Sequence, residues 1–419
     1  MFKTSAFFLV FFVLLSSQLA AEEAGLVDAF KNGETTLDFR LRYEDVDEHL
    51  GVNENIEKGA QAATLRSRLT YRTEEYQFFT ALVEFDHLGA FPDDDNYNSG
   101  SNGQTDDARV LDSEGSEVNR VWLAYDIANT LIKYGRQSVI LDNARFVGND
   151  AWRQNEQTFT GVSFRNEAFN YTRLRFIQLN QVEGILGTDH PDGKQDIDAQ
   201  LFNIEYRGFM NPMFAFGAQN SLLSFYSYYL DNDSGKDAWD TKTYGIRFAA
   251  DVKTMPRVTY AFEYAVQEDR KDNSVSYSAD YSLAEFGVVF NNVLVNAGIE
   301  TLGADGNGYF VTPLASLHDF QGASGQFQNQ GLGNIAGGIE DSYFSLGYVF
   351  SEDCQVKATY HDFESDDDKV GPGALGKEWE VSVFKNWADY RLSAKYANYS
   401  KDNFGIDTEK LWLSVEARF

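Results

Sequence analysis

Arginine recurs at alternate positions in this chain. Arg40 and Arg42 lie in "DFRLRYEDVD", Arg66, Arg68 and Arg72 in "TLRSRLTYRT", and Arg173 and Arg175 in "YTRLRF". In an extended segment, residues two apart share a face, so each pair projects its guanidinium groups together. Guanidinium stays charged and presents a planar fork of donors that matches carboxylates and phosphates. A row of such groups in contact with water lowers the barrier for anionic solutes such as carboxylates, uronates or phosphates. The same or later strands also carry Asp38, Glu44, Glu84, Asp86 and Glu263. Pairing with these would make the arginines braces with no net field, and both readings of the basic face stand at this level.

Catalysis finds less support. The histidines are His49, His87, His190, His318 and His361. The last four each adjoin an aspartate, but neighbours along a strand point to opposite faces, so adjacency is not catalytic geometry. No Gly-x-Ser-x-Gly occurs. The single cysteine, Cys354, excludes an internal disulfide and a cysteine-based metal site. The reading is therefore a non-enzyme without metal or cofactor. Asp93, Asp94, Asp95, Asp106, Asp107, Asp112 and Glu114 crowd residues 91–116, which reads as a solvated surface rather than a divalent-cation site.

The elements that must hold these side chains follow from periodicity. Val258, Tyr260, Phe262, Tyr264 and Val266 alternate with Thr259, Ala261, Glu263, Ala265 and Gln267, and Leu37, Phe39, Leu41 and Tyr43 with Asp38, Arg40, Arg42 and Glu44. Period two recurs along the chain, giving about 18 candidate strands. Short links at 73–75, 291–292, 351–353 and 386–389 alternate with long polar connections at 88–116, 137–157, 184–197, 303–336 and 364–376. The pattern predicts an all-β fold, a transmembrane antiparallel up-and-down β-barrel with short periplasmic turns and long extracellular loops. Lipid outside and water inside suits strands with one apolar and one polar face, and closure pairs every backbone group. A secreted sandwich or solenoid leaves the short-long alternation unexplained. Tyr43, Tyr71, Trp122, Tyr228, Tyr229 and Trp412 are expected in aromatic girdles at the membrane interfaces.

The opening "MFKTSAFFLVFFVLLSSQLAAEE" has a basic start, a short apolar run and small residues at Ala20 and Ala21, the pattern of a cleaved signal peptide over 1–21. Residues 22–419 then form the barrel domain. A net charge of -29 argues against nucleic acid. One connection keeps large apolar groups: "YGRQSVILDNARFVGNDAWRQNEQTF" at 134–159 holds Ile140, Leu141, Phe146, Val147 and Trp152 among Arg136, Arg145 and Arg153. Such a loop packs against a surface, either the lumen wall, where it would set the constriction, or the barrel rim.

That stretch resembles the central signature of the alginate-export family of bacterial outer-membrane porins, and the likeness extends to "DFRLRYEDVDEHLGVNEN", "TLRSRLTYRT", "ALVEFDHLGAF", "SEVNRVWLAY" and "TPLASLHDFQG". The resemblance implies a barrel of about 18 strands with a basic interior that passes anionic sugar polymers, and marks Arg40, Arg42, Arg66, Arg68, Arg136, Arg145 and Arg153 as lumen or constriction residues. It implies passive diffusion through the outer membrane, with lipid and lipopolysaccharide around the wall. A structural or adhesive barrel is the alternative. The final "KLWLSVEARF" reads as a closing strand that pairs with Leu37–Tyr43, with Leu411, Leu413, Val415 and Ala417 outward. Phe419 looks like the C-terminal aromatic signature read by the barrel-assembly machinery.

Overall fold

The computed structural model describes residues 23–50, 56–91, 96–208, 220–253, 255–328 and 331–419. Residues 1–21, expected as a signal peptide, lie outside these, as do Asp93, Asp94 and Asp95. A short helix, α1 (Glu23–Lys31), comes first, and the strand periodicity gave no warning of it. It docks on the link after the second strand, where Glu74 N donates to Ala29 O at 3.0 Å.

Eighteen strands follow: β1 (Glu34–Leu50), β2 (Ile56–Arg72), β3 (Phe79–Ala90), β4 (Gly115–Ile127), β5 (Thr130–Gln137) and β6 (Thr158–Asn166). Next come β7 (Thr172–Glu183), β8 (Lys194–Tyr206), β9 (Asn220–Asn232), β10 (Thr241–Val252), β11 (Arg257–Asp269) and β12 (Ser278–Phe290). The set ends with β13 (Val293–Leu302), β14 (Ile339–Ser351), β15 (Cys354–Glu364), β16 (Ala374–Trp387), β17 (Tyr390–Lys401) and β18 (Asp407–Arg418). Each strand pairs antiparallel with its sequence neighbours, and β18 pairs with β1, so the sheet is a closed barrel. The seam runs from Asp38 opposite Arg418 to His49 opposite Asp407, which is the closure expected from the last strand. Two-residue turns at Ala128–Asn129 and Asn291–Asn292 hold both residues at positive φ, the twist-compatible geometry of tight hairpins.

The wall has the expected two faces. Leu41 is 47% exposed and Phe262 53%, while Arg40, Arg42, Glu263 and Gln267 on the other face are buried. This apolar outside far exceeds the patch a water-soluble monomer tolerates. No helix among the described residues is long and apolar enough to cross a membrane.

The inside departs from a uniformly polar lumen. Ile177, Leu179, Ile197, Ala199 and Leu201 turn inward and are buried against Val139, Leu141, Val147, Phe310 and Leu314 from inserted loops. The loops make the difference, because an apolar inner wall is stable only when something other than water covers it. Trp412 and Tyr228, expected in a girdle, are buried on the lumen side. Trp122 shares the inner face of β4 with Arg120 and carries Lys133 over its ring at 4.5 Å.

Candidate functional site

Two loops enter the barrel and meet. Residues 138–157 leave β5, and residues 303–338 leave β13, nearly opposite on the wall. Val147 bridges in parallel to Leu314, and Gly148 N donates to Leu314 O at 2.8 Å. A Cβ on Gly148 would lie 2.3 Å from Ser316 Oγ, so the close approach requires glycine there. Gln157 Nε2 donates to the carbonyls of Gly148 at 2.8 Å and Leu314 at 3.0 Å. Phe146 packs edge-on to Tyr281 with centroids 5.0 Å apart and lies 5.5 Å from Tyr226. The second loop is anchored on β16, where Glu378 accepts from Ala323 N at 2.6 Å and Ser324 N at 3.2 Å. Its inward course was not expected from the sequence, because Leu314, Leu317 and Phe320 are dispersed among small polar residues.

Apart from Arg72, the arginines of the basic face and the first loop divide into three groups. Several are ion-paired braces: Arg68 with Asp86 at 2.6 Å and Glu156 at 3.0 Å, Arg175 with Glu205 at 3.0 Å, and Arg173 with Glu205 at 3.2 Å and with Glu167. Arg66 pairs with Asp38. Other arginines tie the loops to the wall. Arg40 Nε donates to Gln154 Oε1 at 2.7 Å, and its other nitrogens reach the carbonyls of Ala151 and Arg153. Arg153 pairs with Glu44 at 3.0 Å, and Arg145, fully buried, with Glu300 at 2.7 Å. The third group is the exception, Arg42. It is buried against Trp152, 4.5 Å from the ring centroid, and its Nε and Nη1 have no hydrogen-bond partner. Arg72 is exposed at the short-turn end of β2.

Arg136 sits elsewhere than expected. It belongs to β5, opposite Val121 and Thr160 in the register, on the face away from Lys133 and Gln137. There it bonds Val118 O at 2.7 Å and Glu183 at 2.9 Å. It ties β4 to β7 on the outward face of the wall and does not reach the inserted loops.

Around Arg42 the two loops and the seam strands form one cluster. Trp152 stacks on His318 with centroids 4.0 Å apart and planes 5° apart. Trp412 meets both rings edge-on. Lys395 lies 5.3 Å from Trp152 and pairs with Glu380 at 3.0 Å. Burial, then Lys395 and Arg153, holds His318 well below the usual imidazole range, so it stays neutral. Burial, with Asp319 nearby, pushes Asp150 up to about 6 against the pull of Arg153. Burial likewise raises Asp319. Among the described residues no cluster of His, Cys, Asp and Glu has metal-binding geometry. The arrangement is thus a buried, partly cationic cluster with aromatic sides where the two inserted loops meet the seam strands.

No family model matches the chain, and no curated protein matches it in sequence. Solved structures do match in shape. OccAB2 of Acinetobacter baumannii aligns with a TM-score of 0.70 at 16% identity, over 94% of this chain and 99% of that one. OccK3 (OpdO) of Pseudomonas aeruginosa gives 0.69 at 14%, over 94% and 98%. The outer membrane protein OpdK of P. aeruginosa gives 0.67 at 13%, over 93% and 99%, and a structure of OpdK with vanillate also aligns. At such identities what this chain shares with them is the fold, a closed antiparallel barrel of 18 strands.

Proposed function

We propose that this protein is an outer-membrane channel for passive diffusion of small anionic solutes, with the short turns facing the periplasm and the long loops outside. The observation that carries the reading is Arg42. A buried guanidinium with two nitrogens unbonded, against Trp152 with Lys395 on the same ring, gives the loop junction a positive field that favours an anion over a cation. The apolar outer belt and the fold shared with outer-membrane proteins support the location. The sequence resemblance to alginate-export porins makes sugar acids and oligouronates the first solutes to try, with vanillate beside them. The folded-in loops favour small solutes over a free polymer passage. The paired arginines argue for a local anion site rather than a strongly basic bore.

Reconstitution in a planar bilayer under a salt gradient tests this. The expected result is discrete conductance with an anion-directed reversal potential, reduced by Arg42→Glu and blocked by oligouronates or vanillate. Absence of conductance overturns the channel, and a cation-directed potential overturns the anion preference.

A further inference from the structure

The helix α1 has three faces. Gly25 and Ala29, four apart, turn towards the barrel: Ala29 is buried, and a Cβ on Gly25 would lie 2.9 Å from Tyr76 Cε2. Asp28 and Lys31, three apart, share a second face and are exposed. The third face is a contiguous apolar arc of Leu26, Val27 and Phe30, which are 47%, 51% and 54% exposed. Three large apolar side chains on one short helix are thus left without cover from the protein's own wall.

The helix is held in this orientation. Glu74 N donates to Ala29 O, Tyr71 OH to Phe30 O, and Asn32 Nδ2 to Glu74 Oε2 at 3.0 Å. The fold therefore fixes which way the apolar arc points. Phe30 shows what lies in that direction, because it borders an open groove on the outer wall with Tyr71, Val83, Val121, Leu123 and Tyr134. Tyr71, Val83 and Val121 form one outward row across β2, β3 and β4, and Val121, Leu123 and Tyr134 are strongly exposed. The helix docks on the short link after β2, so it sits at the short-turn rim, level with the lower end of the apolar belt. Whatever covers that belt covers Phe30 as well.

We propose that α1 is an interfacial helix, with Leu26, Val27 and Phe30 dipped into the lipid leaflet at the short-turn end of the barrel and Asp28 and Lys31 in the water beside it. The apolar face of such a helix sinks about 5–10 Å into the boundary between head groups and acyl chains. Three side chains on nine residues fall far short of the ~800 Å² per partner that a specific protein contact needs, whereas a lipid surface sets no such minimum. Only Asn32 and Gly33 separate α1 from β1, so a lipid hold on the helix steadies the first strand at the end where Leu37 meets Phe419. The inference rests on the membrane location in the channel reading and is independent of the solute.

The test is electron paramagnetic resonance of a nitroxide on the full protein in lipid vesicles, in a Cys354→Ser background, with the label at Leu26→Cys, Val27→Cys or Asp28→Cys in turn. Oxygen collects among acyl chains and a nickel chelate in water, so their relative effect on the label reports its surroundings. Leu26→Cys and Val27→Cys should favour oxygen roughly threefold or more over Asp28→Cys, as an interfacial helix requires. All three native side chains are exposed, so the substitutions leave the packing of the barrel intact. Phe262→Cys on the belt is the reference for insertion. A lipid signal there with a water signal at Leu26→Cys and Val27→Cys overturns this inference alone, and a water signal at all of them overturns the membrane location with it. A label at Leu26→Cys that is immobilised in native membranes yet mobile in vesicles of pure lipid identifies a protein cover and also overturns the proposal.

Discussion

Arg145 Nε donates to Glu300 Oε1 at 2.7 Å, from a loop that leaves the wall at β5 to a strand almost diametrically across the barrel. Tyr281 OH donates to the same oxygen at 2.8 Å, and Thr312 and the Phe320 ring flank the guanidinium. The loop therefore crosses the lumen, and its far end is held by a pair fully withdrawn from water. Removing one partner of such a pair typically costs about 3–5 kcal/mol, because the other is left buried and uncompensated. Arg145→Ala and Glu300→Ala should each lower the thermal transition and raise single-channel conductance or its noise. Replacing both residues with apolar side chains should cost less than either single change, in a double-mutant comparison of the two transitions.

The stack of Trp152 on His318, with Arg42 on Trp152, should control the narrowest passage. Aromatic stacking and cation–π contact are each worth about 0.5–2 kcal/mol, so Trp152→Ala should loosen the loop without unfolding the barrel. Single-channel recording should show higher conductance and weaker anion preference. Unchanged values for both would place the constriction elsewhere.

A pH window is set at the loop junction. Asp150 N donates to Ser316 Oγ at 2.9 Å, and burial, then Asp319, lifts the Asp150 carboxyl to about 6, above its unfolded value near 3.9. Between those values the folded protein holds the proton more tightly than the unfolded chain, so the stability of the junction falls as pH rises from about 4 to about 6. The change is of order 2–3 kcal/mol. Current noise from loop movement should grow across that window, and Asp150→Asn, combined with Asp319→Asn, should flatten it.

Phe419 packs edge-on against Phe39 at 6.5 Å and Tyr390 at 6.4 Å, and exchanges backbone hydrogen bonds with Leu37. Deleting it should lower the yield of assembled barrel in outer-membrane fractions. Barrels that do assemble should conduct almost as before, since the ring contributes nothing to the lumen.

Much of the wall was legible because the two faces of each strand differ so sharply. Leu37, Leu41 and Leu413 could point only one way once Arg40, Arg42 and Lys410 pointed the other. The loop at 138–157 was legible as a packed segment because Phe146 and Trp152 are too large for a solvated loop. The same parity should have moved Trp412 inward with Lys410 and Ser414, yet its type suggested a girdle. The ion pairs were less accessible. Arg175 meets Glu205 and Arg145 meets Glu300 through inter-strand register and loop course, which no single strand's sequence carries. Arg136 was misplaced because the strand β5 extends past the point where the quoted motif reads as a loop.

The seam between β1 and β18 has a consequence for how the protein is made. Its paired residues are nearly the whole chain apart, so no earlier portion of the polypeptide can close the cylinder. Contacts so distant in sequence form late and slowly, and until they do β1 offers an unpaired edge that any other extended chain could occupy. The chain must therefore be kept from pairing wrongly until its last strand is available, and closure of the cylinder comes last even though every other pairing joins neighbours in sequence.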